Sequence, residues 1–266
     1  MLTAESEGGQ LKCHPYWAAK EYGAFRLKAL SEKKLFLDRR RHRESASRKD
    51  SGRRRANTNV LSSPATSYNE QPFVVIRKLA LSHVSEPFSP LREITQLHCS
   101  SWPDFGTPAQ PSHLLSLVEL SNTLQSAALG IDGRENTENA RPLLVHCSAG
   151  CGRTGTFCTV DSVIDMLKRR RQEQSAGVMP MGVSQGSDSD LVCAGGEGEK
   201  DTSDNWIFND QEDLIQKTVE DFRRQRISMV QGLRQYVLCY ESVLEWVSQQ
   251  QRFGKRERSG SESRAN

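Results

Sequence analysis

The segment Leu143–Gly155, LLVHCSAGCGRTG, places a cysteine and an arginine at the two ends of a loop of small residues. An apolar run leads into Cys147, and Arg153 opens the helix expected after the loop. A strand, a tight loop and a helix N-terminus bind anions, because successive backbone N–H groups point inward and the helix dipole adds partial positive charge. Gly150 and Gly152 permit backbone angles that other residues resist. Residues 147–153, the cradle, therefore predict a phosphate-like ligand.

The cradle also predicts a nucleophile. Its N–H groups and Arg153 should lower the pKa of Cys147 from about 8.5 to about 4–6, which makes it a thiolate at pH 7. Arg153 offers a planar fork to two phosphate oxygens, and a thiolate beneath a bound phosphate can attack phosphorus. The alternative is a glycine-rich turn with a buried cysteine. The complete string HCSAGCGRTG after an apolar run favours catalysis.

A metal site is the second alternative for this segment. Cys147 and Cys151 could form half of a zinc site, but no second pair lies at finger-like spacing. Arg153 and backbone amides meet the charge of a phosphate, so the expectation is that neither a metal nor another cofactor takes part.

A loop with two prolines and a glycine, SWPDFGTP (residues 101–108, the acid loop), supplies a second candidate. Asp104 lies near its centre, directly after a predicted strand. A lone aspartate in a loop is usually a turn residue. In a chain that also carries the Cys147 cradle, Asp104 is better interpreted as a mobile general acid.

Alternating strands and helices must position these residues. Strands are predicted over Ala24–Leu30, Phe73–Leu81, Arg92–Cys99 and the apolar run before Cys147. Helices are predicted over His113–Gln125, from Arg153 through Leu167, over Asn209–Arg226 with Asn209 or Asp210 as cap, and through Tyr236–Val247. The order predicts an α/β fold: a central mixed sheet flanked by helices, with the Cys147 loop at the carboxyl end of its strand.

Composition separates one domain from its linkers. The 266 residues are 36% hydrophobic and 26% charged, which supports a core with a sizeable polar fraction. We expect one domain over residues 1–252, disordered insertions at about 38–70 and 172–205, and a disordered tail over 253–266. The first insertion contains RRRHRESASRKDSGRRR. Nuclear import or an acidic partner is the alternative to a plain linker.

Charge and cysteine usage restrict partners and compartment. A net charge of +3 is too small to indicate a nucleic-acid partner by itself. Seven cysteines lie scattered without a framework, which suits a reducing compartment. No run is long and apolar enough for a membrane partner, and the polar first residues are unlike a signal peptide. The sequence therefore predicts a cytoplasmic protein, with the nucleus as alternative.

The string HCSAGCGRTG resembles the signature of non-receptor protein tyrosine phosphatases, and the following TFCTVDSVIDMLKRR is most similar to fungal members. The resemblance implies a protein-tyrosine phosphatase that works through a phosphocysteine on Cys147. It implies that residues of the cradle bind the phosphate: Ser148, Ala149, Gly150, Cys151, Gly152 and Arg153. Phosphotyrosine-containing proteins are the implied partners, and the fungal members suggest mitogen- or stress-activated kinases.

The resemblance also implies roles outside the cradle. Glu7 would orient Arg153, Lys12 would approach the acid loop, and Trp102 would serve as its hinge. The segment ISMVQGLRQYVLCY is similar to the family's glutamine loop. Further roles follow for residues near the reacting atoms: Gln231 positions the hydrolytic water, Gln235 lies one helical turn on, Thr154 hydrogen-bonds the departing thiolate and His146 holds the cradle through its ring.

The resemblance covers most of this chain but only the later two thirds or so of the family domain. A Lys-Asn-Arg-Tyr type motif, which supplies the aromatic wall of the phosphotyrosine cleft, is not found here. We therefore expect an N-terminally truncated domain. Two alternatives follow: a catalytically weak phosphatase-like binding or regulatory protein, and a dual-specificity phosphatase. The joint presence of Cys147, Asp104, Arg153 and Gln231 favours an active tyrosine phosphatase.

Overall fold

The computed structural model describes residues 1–18, 20–37, 72–86, 88, 91–128, 142–175 and 211–262. The strands are β1 (Ser6–Glu7), β2 (Gln10–Leu11), β3 (Glu21–Tyr22), β4 (Phe25–Phe36), β5 (Phe73–His83) and β6 (Arg92–His98). The helices are α1 (Pro111–Ala128), α2 (Gly152–Ser175), α3 (Leu214–Gln225) and α4 (Leu233–Glu262). A four-stranded sheet together with these four helices confirms the predicted α/β class.

The main sheet has the order β3-β4-β5-β6, and every ladder in the described residues is antiparallel. Strands β4, β5 and β6 lie where the alternation of apolar residues predicts them, although β4 extends to Phe36, and β3 was not predicted. The backbone N–H of Leu37 donates to the Pro72 carbonyl at 2.9 Å. The predicted insertion at 38–70 lies outside the described residues.

Helix α2 is the centre of the helical layer, because it packs against α1, α3 and α4. Its predicted core residues recur at helical spacing and are buried, with Leu167 half-buried: Phe157, Val160, Val163 and Ile164. Burying each such apolar side chain stabilises the fold by about 1.5–3 kcal/mol. The N-terminus of α2, which carries the cradle, is thereby fixed against the core.

The predicted strand before Cys147 is wrong. Residues 142–147 form no regular secondary structure and belong to no ladder of the described sheet. A hydrogen bond from the Leu2 N–H to the His146 carbonyl at 2.8 Å joins their backbone to the N-terminal segment. Leu143 and Leu144 are exposed, since no described strand lies beside them. Met1 in turn bonds to the end of β6, so the first residues connect the sheet to this segment.

Two helix ends also differ from prediction. Helix α3 begins at Leu214, and Asp213, rather than Asn209 or Asp210, caps it by accepting from the N–H groups of Ile215 and Gln216. Helix α4 continues through Glu262, whereas disorder was predicted from residue 253.

Helix α2 continues through Ser175, four residues into the second predicted insertion. The rest of that insertion, and residues 263–266 of the predicted tail, lie outside the described residues. None of the described helices is both long enough and apolar enough to cross a membrane.

Candidate active site

Cys147 lies buried at the floor of a loop that leads directly into α2. Its side chain is 7% exposed, and the backbone N–H of Gly150 donates to its sulfur at 3.2 Å. Gly150 has a φ of +68°, in the left-handed region that favours glycine. This backbone turn directs the N–H inward, as the sequence predicted for an anion-binding loop.

The surroundings of Cys147 favour its thiolate. Burial by itself raises the pKa of the thiol, but hydrogen bonds from Thr154 and from the backbone N–H groups of Gly150 and Cys151 outweigh burial and lower the pKa. The Thr154 hydroxyl is buried beside this thiol. Burial raises the pKa of Cys158 to about 11 and of Cys239 to about 12. Of these three thiols, Cys147 alone has a lowered pKa.

Arg153 is buried and held by the acid loop and by β1. Its side chain is 1% exposed; Nη1 donates to Glu7 Oε1 at 2.6 Å and to the Trp102 carbonyl at 2.8 Å, and Nη2 donates to Asp104 Oδ1 at 3.1 Å. The Nε–H is buried with no partner among the described residues. Buried donors are normally paired, so this N–H is available to an anion in the cradle.

The hairpin of β1 and β2 brings two charged residues to the acid loop. Glu7 Oε2 accepts from the backbone N–H of Asp104 at 2.9 Å, and Lys12 Nζ donates to Asp104 Oδ2 at 2.9 Å. The turn between the two strands is made by two glycines with φ of +57° and +78°, Gly8 and Gly9. Glu7 and Lys12 thus contact the groups to which the resemblance assigned them.

Both carboxylates of this cluster are held ionised. Burial raises the pKa of Asp104, but the Lys12 hydrogen bond and the Arg153 charge outweigh burial and lower it. Burial likewise raises the pKa of Glu7, and its hydrogen bonds with Arg153 and the Asp104 N–H lower it overall. Without a ligand, Asp104 is therefore a carboxylate that neutralises Arg153.

The acid loop is folded back on itself around Trp102, whose side chain is 1% exposed. The indole N–H donates to the Gly106 carbonyl at 3.0 Å, and the Gly106 N–H donates to the Pro103 carbonyl at 3.2 Å. Phe105 is 66% exposed and has a φ of +53°, an unfavourable angle for a bulky residue. Such strain costs about 1–3 kcal/mol and is typical of loops that move.

His146 is anchored from β6. Its Nε2 lies 2.8 Å from the Tyr16 hydroxyl, which accepts from Gln96 Nε2 at 2.9 Å, and its Nδ1 lies 3.2 Å from the Cys147 carbonyl. Burial is the main cause of its lowered pKa. The ring therefore holds the cradle as a neutral hydrogen-bonding group, and Tyr16 in turn fixes the ring.

The two glutamines differ in their surroundings. Gln235 is 1% exposed; its Oε1 accepts from the Gly232 N–H at 3.2 Å, and its Nε2 lies 3.5 Å from the Gly106 carbonyl of the acid loop. Gln231 is exposed and follows Val230, whose N–H donates to the Cys151 carbonyl at 3.3 Å. The structure thus places the backbone of Val230, next to Gln231, against the cradle, and the Gln235 amide lies close to Gly152.

The remaining predicted residues line the cradle: Ser148 and Ala149 are exposed, whereas Cys151, Gly152 and Thr154 are buried. No cluster of three metal-ligating side chains occurs in the part of the chain that the structure describes. Two contacting residues were not predicted, Tyr16 and Arg226. Tyr16 stands in an irregular stretch, and Arg226 ends the run RRQR, where nothing in the local pattern distinguishes it.

A family model described as "Protein-tyrosine phosphatase" matches residues 1–182. Tyrosine-protein phosphatase 3 of Saccharomyces cerevisiae is 30% identical over 173 residues, which are 64% of this chain and 15% of that protein. Tyrosine-protein phosphatase non-receptor type 18 of Homo sapiens is 31% identical over 171 residues, 63% of this chain and 26% of that protein. Tyrosine-protein phosphatase corkscrew of Drosophila melanogaster is 26% identical over 251 residues, 93% of this chain and 20% of that protein. The chain spans about a quarter or less of the length of these relatives.

Proposed function

Since the chain belongs to the protein-tyrosine phosphatase family, we propose that it hydrolyses phosphotyrosine on proteins through a phosphocysteine intermediate. The observation that carries this proposal is the cradle itself. A buried thiol with a lowered pKa and a buried guanidinium with an unpaired N–H flank one loop. A phosphate monoester matches this set, because its oxygens take the N–H donors and its phosphorus then faces the sulfur.

In the first step the Cys147 thiolate attacks phosphorus in line. A sulfur–phosphorus bond forms as the phosphorus–oxygen bond to tyrosine breaks, and Asp104 gives a proton to the leaving oxygen. Asp104 is ionised in the ligand-free site, because Lys12 and Arg153 lower its pKa. A phosphate dianion beside it opposes that effect: it occupies Arg153 and adds negative charge, which raises the pKa of Asp104.

In the second step water replaces sulfur on phosphorus. Asp104, now ionised, takes a proton from the water that Gln231 holds, and the sulfur–phosphorus bond breaks. The departing thiolate is stabilised by Thr154 and by the cradle N–H groups that already lower its pKa. Inorganic phosphate leaves the cradle and the free thiolate is restored.

Three neighbouring residues hold the reacting groups in position. Glu7 joins Arg153 to the backbone of Asp104, so that the guanidinium and the acid loop are oriented by one carboxylate. Lys12 holds the Asp104 carboxylate close to the cradle. His146, bonded to Tyr16, fixes the peptide that carries Cys147.

For the substrates, the similarity to fungal members suggests phosphotyrosine on mitogen- or stress-activated kinases in the cytoplasm or nucleus. A panel of matched phosphotyrosine, phosphoserine and phosphothreonine peptides from kinase activation loops would test this assignment. Hydrolysis confined to phosphotyrosine supports it, whereas comparable rates on all three indicate a dual-specificity enzyme.

The central test is Cys147→Ser, because a hydroxyl stays protonated at neutral pH while the cradle remains. We expect turnover of para-nitrophenyl phosphate to be abolished and phosphotyrosine-peptide binding to persist. Cys13→Ser is the matched control, since Cys13 is a half-buried thiol outside the cradle. Retention of most activity in Cys147→Ser would contradict the proposed nucleophile. Peptide binding without turnover in the unaltered chain would instead indicate a binding protein.

A further inference from the structure

One peptide unit of the cradle has its two polar ends in different environments. The N–H of Gly150 points inward to Cys147 Sγ at 3.2 Å, and the carbonyl of Ala149, in the same peptide unit, points outward to Arg226 Nη2 at 2.8 Å. A trans peptide is planar, with its C=O and N–H pointing in opposite directions. The direction of the carbonyl therefore determines the direction of the N–H.

Arg226 is placed to control that carbonyl. It is the C-cap of α3, and its backbone N–H donates to the Phe222 carbonyl. Its Nε donates to Cys151 Sγ at 3.1 Å, so the guanidinium lies along the outer side of the loop from Ala149 to Cys151. A Cβ on Gly150 would lie 3.7 Å from the guanidinium carbon, which shows how closely the two pack.

The loop needs such a restraint because of Gly150. Rotation of the 149–150 peptide changes mainly the ψ of Ala149 and the φ of Gly150, and glycine accepts both signs of φ at little cost. The peptide can therefore flip cheaply unless its carbonyl is held. A flip would turn a carbonyl oxygen toward Cys147 and toward any bound phosphate, replacing a donor by a repulsive acceptor.

We propose that Arg226 is a positioning residue that holds the Ala149 carbonyl outward and so keeps the Gly150 N–H directed into the cradle. The expected loss of turnover rests on the proposed function. The expected change in the reactivity of Cys147 does not, because it depends only on the direction of the Gly150 N–H. Cys151 supports the same arrangement, since its thiol lies 3.4 Å from the Ala149 carbonyl. Lysine could replace the charge of Arg226 but not the two-point contact with Ala149 and Cys151.

The test compares Arg226→Gln, Arg226→Lys and the control Arg224→Gln. Arg224 ends the same helix with a side chain 79% exposed, and it contacts Asp221 rather than the cradle. The first readout is the pH dependence of Cys147 alkylation by iodoacetamide, assigned by tandem mass spectrometry. The second is kcat/KM for para-nitrophenyl phosphate, and the third is the melting temperature.

We expect Arg226→Gln to move the alkylation midpoint to higher pH and to lower kcat/KM about tenfold. This is less than the usual 10²–10³ for losing an oxyanion donor, because the Gly150 N–H is only partly misdirected. Arg226→Lys should give a smaller change in the same direction, and Arg224→Gln should match the unaltered chain. A merely structural role would lower the melting temperature without moving the midpoint.

An unchanged alkylation midpoint in Arg226→Gln, at an unchanged melting temperature, overturns the proposal. Arg226 is itself solvent-exposed, so the variant should fold. If Arg226→Gln is nevertheless destabilised, the pH midpoint of Cys147 alkylation in Arg226→Lys is used instead. A shift to higher pH supports the proposal, and an unchanged midpoint overturns it. Failure of the proposed function would appear separately, as absence of turnover in the unaltered chain, and the alkylation assay does not depend on turnover.

Discussion

Glu7→Gln should weaken the fold and the site together, because one carboxylate connects β1, Arg153 and the acid loop. Glu7 accepts from Arg153 Nη1 at 2.6 Å and from the Asp104 N–H at 2.9 Å. Hydrogen bonds to charged groups contribute about 1.5–3 kcal/mol and neutral ones about 0.5–1.5. Losing the charge from two bonds therefore costs about 2–3 kcal/mol. Against a typical total of about 5–15 kcal/mol this is a large fraction.

The pH dependence of that loss has a defined sign. The folded-state pKa of Glu7 is lowered from 4.5, so its carboxylate stabilises the fold fully above the unfolded value. The contribution disappears as the pH falls through the lower folded pKa. The difference in unfolding free energy between the unaltered chain and Glu7→Gln should be constant above about pH 5.5 and shrink progressively below about pH 4.5.

Urea unfolding at several pH values measures this difference, with Glu5→Gln as the control. Glu5 is exposed in the same N-terminal segment, and its contacts with Lys12 and Cys13 use only the backbone carbonyl. We expect Glu5→Gln to change stability by less than about 0.5 kcal/mol. A Glu7→Gln loss below about 1 kcal/mol at pH 7, or one that persists undiminished at pH 3.5, would refute the reasoning.

Asp104→Ala should lower kcat by about 10²–10⁴ on phosphotyrosine peptide and far less on aryl phosphates with good leaving groups, which need no protonation. Equal losses on both substrates would show that Asp104 serves only the structure. Mild peroxide should oxidise Cys147 first and reversibly, because its pKa is lowered while burial raises the pKa of Cys99 and Cys158. Peptide mapping after brief treatment checks this, phosphate should protect, and first oxidation at any other cysteine would contradict it.

Local chemistry could be deduced from the sequence. Gly150 and Gly152 predicted a loop with inward N–H groups, and Gly150 does adopt a φ of +68°. The apolar spacing from Phe157 to Ile164 predicted the buried face of α2. Both conclusions depend on residues within a few turns of each other, where glycine sterics and the 3.6-residue period act directly.

Strand and helix limits were less predictable, because they depend on distant partners. The run before Cys147 has strand-like residues, yet it forms no ladder and leaves Leu143 and Leu144 exposed, since strands need a neighbour in register. The sequence predicted Asn209 or Asp210 as the cap of α3, but Asp213 caps it, directly before the buried Leu214 and Ile215. The start of α3 is therefore set by the burial of its first residues and not by the capping residues alone.

Composition and motif thus predicted a phosphate-binding loop with a reactive cysteine on an α/β scaffold. The family resemblance implied that Glu7 orients Arg153, but only the tertiary structure shows the contacts that distant groups make with the site. Glu7 reaches Arg153 across 146 residues of sequence, and Arg226 reaches Ala149 across 77. Neither contact produces a pattern in the local sequence, because a hydrogen bond requires only that its donor and acceptor lie about 3 Å apart. Chain topology, rather than spacing along the sequence, supplies that proximity.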